Sequence, residues 1–186
     1  MYNKTLSVIL IGAAVTFAAA AQDSQSSKTS SRAMGDQHFL TKAAQGGMAE
    51  VQLGEVAEKN ASNTSVRQFG ERMVTDHSKA NEQAKSLAAE KSITLPTSMS
   101  SKDESLYRSL SAKTGSDFDK AYITAMIKDH NEDIAEFEHE ATSGTDPDIK
   151  AWAAKTLPTL KEHLKLAESC AKQLGIPTSP TGGDLR

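Results

Sequence analysis

Three histidines, His77, His130 and His163, fall on the apolar stripes of three different predicted helices, and a fourth helix carries Glu50 on its own stripe. Imidazole and carboxylate groups are rarely placed in a core unless something satisfies them. One such residue from each of four helices is the pattern by which a bundle builds an internal polar or metal site. Imidazole nitrogens and one carboxylate oxygen can complete a four-coordinate set around a metal ion. The same four residues can instead form a hydrogen-bonded layer that fixes helix register. A helical position lies on a core stripe by chance about three times in seven, so three histidines do so together in roughly one case in twelve. The other two histidines, His38 and His139, sit off the stripes.

Further residues gather at the same level. Met73 and Met126 each stand four residues before a stripe histidine and share its face, which makes them candidate soft ligands. An acid precedes each histidine, as Asp76, Asp129 and Glu162. Adjacent helical positions point about 100° apart, so these acids could orient a histidine only from the next helix. Gly46-Gly47 and Pro158 interrupt helices nearby and could leave room for a ligand. Cys170, the single cysteine, excludes an internal disulfide and reads as a small buried hydrophobe. No phosphate loop, nucleophile elbow or Cys-x-x-Cys pair is present.

The elements that must position these residues are long helices. Residues 36–59 form the first, with the stripe Phe39, Ala43, Gly46, Glu50, Leu53, Ala57. The second spans about 63–91, with Val66, Gly70, Met73, His77, Ala80, Ala84, Leu87. The third begins at Ser116 as N-cap, with Asp119 completing a box-like start, and carries Ile123, Ile127, His130, Ile134, Phe137. The fourth begins at Asp146-Pro147, an N-cap followed by proline at the first helical position. It carries Ile149, Trp152, Thr156, Leu160, His163, Ala167, Cys170, Leu174. Between the second and third lies a long join with a short helix at about 102–112. Helices of this length are about 40 Å tall, which the join can span, making the third long helix parallel to the second. A simple up-down-up-down bundle is the alternative. Phe39 to Glu50 repeats in spacing as Phe118 to Asp129, and Asn63-x-x-Val66-x-x-Phe69 as Asp146-x-x-Ile149-x-x-Trp152, which suggests a duplicated helical hairpin with gaps.

At 186 residues, with 5% aromatics, the chain suits one helical domain and a targeting segment. A net charge of −3 with interspersed signs excludes a nucleic-acid partner. Residues 1–21 read as a signal peptide: Lys4, an apolar run from Leu6 to Phe17, then small residues for cleavage. The run is too short for a transmembrane anchor, so none is expected after cleavage. The expected organisation is a Ser-rich disordered leader at 22–35, a bundle domain at 36–175 and a disordered tail at 176–186. The compartment is periplasmic or otherwise exported.

Four segments resemble the domain-of-unknown-function 4142 family: Glu50-Val51-Gln52-Leu53-Gly54, Val74-Thr75-Asp76-His77, Phe118-Asp119-Lys120-Ala121-Tyr122, and Leu157-Pro158-x-Leu160-x-x-His163. The resemblance covers about 36–175. It implies an exported bacterial protein of all-α, ferritin-like four-helix fold, of a group often labelled as outer-membrane proteins, and it implies no activity. The chain departs from ferritin-like di-iron proteins, which need Glu-x-x-His on two helices. Val74, Ile127 and Leu160 stand three residues before the stripe histidines, and the one Glu-x-x-His, Glu136 to His139, lies off the stripe. The donor set therefore suits zinc or copper better than a di-iron pair.

The residues thus support a non-catalytic exported bundle with an internal metal or small-ligand site at Glu50, His77, His130 and His163. Two rivals stand beside it: a structural module in which the same Glu/His layer fixes register and the surface meets an envelope partner, and a metal-dependent enzyme.

Overall fold

The computed structural model describes residues 19–177, with side chains from Gly35 onward. The expected signal peptide, apart from its last three residues, and residues 178–186 lie outside the described part. Within it the protein is all-α, with five helices: α1 (Ala19–Asn60), α2 (Thr64–Glu90), α3 (Ser101–Ser111), α4 (Gly115–Ser143) and α5 (Pro147–Gln173). Among the described residues no helix is long and apolar enough to cross a membrane.

Local chemistry explains most of the boundaries. Asn63 caps α2 by accepting from the Ser65 and Val66 amides, and Asp146 caps α5 by accepting from Asp148 and Ile149. Gly175 (φ 67°) closes α5: the Ile176 amide reaches back to the Ala171 carbonyl, and Ile176 packs on the core rather than starting a free tail. Two boundaries differ from expectation. α1 takes in the Ser-rich stretch 22–35, which contains no proline and, before Gly35, no glycine, so a helix propagating from the packed segment meets no breaker. α4 starts at Gly115 after Thr114, not after Ser116, and Thr114 makes no side-chain cap bond. Asp119 does not complete a box there. It is 1% exposed and accepts from the Ser62 and Asn63 amides and the Ser62 hydroxyl, in the turn between α1 and α2.

The long helices form two antiparallel hairpins, α1/α2 and α4/α5, which face each other through α1 against α4 and α2 against α5. Lys91, just past α2, pairs with Asp146 and Asp148 at the head of α5. At the opposite end, Asn60 reaches the carbonyls of Ser111 and Lys113. The join carrying α3 therefore returns along the full height of the bundle, and α4 runs parallel to α2, which selects the crossover connection over the up-down-up-down one.

The hairpins exchange equivalent contacts. Asp119 holds the Ser62-Asn63 turn, and Asp36 accepts from the Thr145 and Asp146 amides and the Thr145 hydroxyl in the other hairpin's turn. The same interval separates Asp36 from Asp119, Ser62 from Thr145, Asn63 from Asp146, Val66 from Ile149 and Phe69 from Trp152. The repeat thus keeps one register without gaps, and the partner of Glu50 is Asp133, not Asp129 as the Phe39/Phe118 alignment suggests.

Apolar burial splits into two clusters. One, at the α1–α2 turn end, is built on Leu53, Val66, Phe69, Met73, Phe118, Tyr122, Ile123 and Met126. The other, at the far end, is built on Phe39, Leu40, Leu87, Phe137, Ile149, Trp152 and Leu160. Along each long helix the gap between the clusters holds one buried polar side chain: Glu50, His77, His130 or His163.

Candidate metal centre

All four stripe residues are buried: Glu50 is 1% exposed, His77 5%, and His130 and His163 0%. The bundle brings the three imidazoles together, with ring centroids 5.2–5.7 Å apart. One nitrogen from each lies within 4.8 Å of the other two. Glu50 joins them from α1. Its Oε2 is 2.7 Å from His77 Nδ1 and its Oε1 is 3.4 Å from His130 Nε2.

The partners of each ring decide where its proton sits. His130 Nδ1 is 3.0 Å from the Met126 carbonyl, which can only accept, so the proton is on Nδ1 and Nε2 presents a lone pair. His163 Nε2 is 2.9 Å from Asp76 Oδ2. Burial opposes the charge on Asp76, but hydrogen bonds from Arg72 and His163 hold its carboxyl below the usual range, so it is an acceptor. That places the His163 proton on Nε2 and the lone pair on Nδ1. His77 Nδ1 donates to Glu50, which leaves its Nε2 buried and without a protein partner.

The rings are neutral. Burial pushes His77 and His163 down to about 4 and His130 to about 3. His130 Nε2 and His163 Nδ1, 3.3 Å apart, therefore meet lone pair to lone pair. Glu50 Oε1 stands beside them and receives no hydrogen bond, since the His130 proton is on the other nitrogen. Burial, then the fields of Asp129 and Asp103, raise the Glu50 carboxyl well above its ordinary value.

This spacing fits a small cation. Zinc–nitrogen bonds of about 2.0–2.1 Å in a tetrahedron put neighbouring ligand atoms about 3.3 Å apart. The His130–His163 and His130–Glu50 separations of 3.3 and 3.4 Å match that edge. Each ring's other nitrogen is already held, by Glu50, by the Met126 carbonyl or by Asp76, which is how metal-binding imidazoles are oriented.

The other candidates fare unevenly. Met73 and Met126 are fully buried in the apolar cluster at the α1–α2 turn end, and Met126 serves the site through its carbonyl. Of the three acids preceding histidines, Asp76 does orient a histidine from the next helix. Glu162 is exposed and approaches only Lys165. Asp129 lies in a group with Glu50 and Asp133, their carboxylate oxygens within 4.8 Å of one another. Burial raises the carboxyls of Asp129 and Asp133 as well, and neighbouring acids add to it. His38 and His139 are exposed, as their off-stripe positions require. Cys170 is buried, and burial pushes its thiol up. Gly47 leaves its space to the Asn81 amide and not to a ligand: a Cβ there would collide with Asn81 Oδ1. Asp133 and Asn81 are the polar neighbours that stripe reading missed. Asp133 had two signals, its i,i+4 spacing from Asp129 and its place in the repeat opposite Glu50.

The DUF4142 family profile, a domain of unknown function, matches residues 18–170. The chain belongs to the DUF4142 family. No curated protein matches it. Two crystal structures of DUF305 proteins share its fold. The one from Streptomyces coelicolor has a TM-score of 0.66 at 11% identity, covering 78% of this chain and 96% of that one. The DUF305 fragment from Deinococcus radiodurans has a TM-score of 0.66 at 13% identity, covering 76% and 95%. At such identity the likeness concerns the fold alone.

Proposed function

We propose that this DUF4142 protein is an exported, non-catalytic, ferritin-like four-helix bundle that holds one zinc or copper ion on His77, His130 and His163, with Glu50 as fourth ligand. The observation that carries the reading is the approach of two imidazole nitrogens to 3.3 Å, each ring bound through its far nitrogen to an acceptor, which assigns a lone pair to both facing nitrogens. A hydrogen-bonded layer puts a proton into each contact, and these two nitrogens have none left for theirs. A cation supplies what is missing. Glu50 binds the ion as a carboxylate, and because burial raises its titration, metal binding there is coupled to pH.

A non-catalytic role for this centre is supported by the space beside it. The cavity lined by Glu50 and His77 measures about 20 Å³, room for about one water and far below the few hundred Å³ of a substrate pocket. Export is supported by the leader pattern in residues 1–21. The structural reading keeps one observation in its favour, the 2.7 Å Glu50–His77 pair, which ties α1 to α2 without any metal.

Metal analysis separates the two. Purified wild type and His163→Ala are offered zinc, copper and iron in turn. The metal reading expects one zinc or copper per wild-type chain and a large loss in the variant. Equal metal in both proteins, or none in either, sinks it. A stability loss in metal-free His163→Ala, without metal binding by wild type, favours the structural layer.

A further inference from the structure

Three carboxylates stand beside the imidazoles, and only one of them, Glu50, belongs to the imidazole site. Glu50, Asp129 and Asp133 each bring one oxygen within 4.8 Å of the other two. Asp129 and Asp133 are one turn apart on α4 and share a face. Glu50 and Asp133 meet because they are equivalent positions in two hairpins that face each other through α1 and α4. Carboxylates this close repel, and partial burial strengthens the repulsion. The cations nearby are engaged elsewhere: Lys102 and Lys128 pair with Glu132, and Lys42 with Glu136. Among the described residues neither Asp129 nor Asp133 has an ion-pair partner.

A second observation points to a ligand. Glu50 is 1% exposed, and its buried Oε1 receives no hydrogen bond. Glu50 and Asp133 also line the cavity of about 20 Å³, together with His77 and Asn81. That volume suits one water or one small ion.

We propose that Glu50, Asp129 and Asp133 form a second cation site, for a hard divalent ion that takes oxygen ligands, sharing Glu50 with the imidazole site. Oxygen-only ligands favour such ions, whereas imidazoles favour zinc or copper, so the two halves of the polar layer select different metals. The proposal goes beyond the imidazole site and shares only Glu50 with it, so either site can fail alone.

The test is Mn²⁺ binding by the full chain, followed by electron paramagnetic resonance, in wild type, Asp129→Asn, Asp133→Asn and His163→Ala. One saturable Mn²⁺ per wild-type chain is expected, at least tenfold weaker in either Asn variant and retained in His163→Ala. Thermal melts check folding. Each Asn removes repulsion, so the metal-free Asn variants should melt no lower than wild type, and if one fails to fold the other decides. No saturable Mn²⁺ in wild type, or unchanged binding in the Asn variants, overturns the proposal. Loss of Mn²⁺ in His163→Ala as complete as in Asp133→Asn also overturns it, because the ion then sits on the imidazoles. Zinc binding that depends on His163, without any Mn²⁺ site, leaves the imidazole site standing alone.

Discussion

Asp76 is the most informative residue to change, because it stands outside the proposed ligand set yet fixes the proton of one ligand, His163. Its Oδ2 accepts from both His163 Nε2 and Arg72 Nε. Asp76→Ala removes the acceptor that keeps the His163 lone pair on Nδ1, facing His130. Losing such an orienting partner costs 10–100-fold in metal affinity, about 1.4–2.8 kcal/mol. The Asp76 side chain is 22% exposed, so water can take over part of its role. The expected loss is therefore near the lower end, about tenfold. Asp76→Asn can offer one amide oxygen to both donors and should lose less than Asp76→Ala. Competition with a chromophoric chelator at pH 7.5 measures this directly. Thermal shifts give an independent reading. With free zinc at 100 times the wild-type Kd, binding stabilises wild type by about 2.7 kcal/mol and Asp76→Ala by about 1.4 kcal/mol. In a domain of this size those figures correspond to shifts of about 5–10 °C and about 3–5 °C. Zinc affinity unchanged in Asp76→Ala would refute the proton assignment, and with it the argument that the lone pairs face one another.

Two further predictions concern the metal-free fold. Burial holds His130 at about 3, while an unfolded histidine titrates near 6.5, so between those values the unfolded state binds the extra proton. The stability of wild type relative to His130→Leu should therefore be greatest above about pH 6.5. It should fall by up to about 1.4 kcal/mol for each pH unit below that, and urea midpoints at pH 7, 6 and 5 check the sign. The helix glycines divide by what surrounds them: a Cβ on Gly54 would lie 2.7 Å from the Gly70 carbonyl oxygen and 2.9 Å from Val74 Cγ2, whereas one on Gly46 meets nothing within 4 Å. Gly54→Ala should cost about 1–3 kcal/mol in urea unfolding despite better helix propensity, and Gly46→Ala should gain up to about 1 kcal/mol.

Helical periodicity carried the long helices and the three histidines, because one apolar stripe per helix leaves few places for a buried imidazole. Glu50 was legible for the same reason. Asp76 was legible only as a direction: its offset from His77 aims it at the neighbouring helix, and His163 is what it meets there. The crossover was permitted by the length of the join, but deciding it needed contacts at both ends of the bundle, from Lys91 and from Asn60. Asp133 was missed because acids between stripe positions read as a solvated face, and because an alignment begun at Phe39 and Phe118 slips the repeat. Asp119 was misassigned as part of a helix start, since sequence spacing cannot show that Ser62 and Asn63, from another hairpin, have unpaired donors in reach. The N-terminal length of α1 was hidden by a Ser-rich composition that looks like a leader yet holds no helix breaker before Gly35.

X-ray absorption on zinc-loaded wild type reads the ligand set itself. Three imidazole nitrogens and one oxygen at about 2.0–2.1 Å from a single zinc are expected, with the imidazole signal reduced in His163→Ala. A shell of oxygens without imidazole, or a spectrum unchanged by the substitution, would contradict that ligand set.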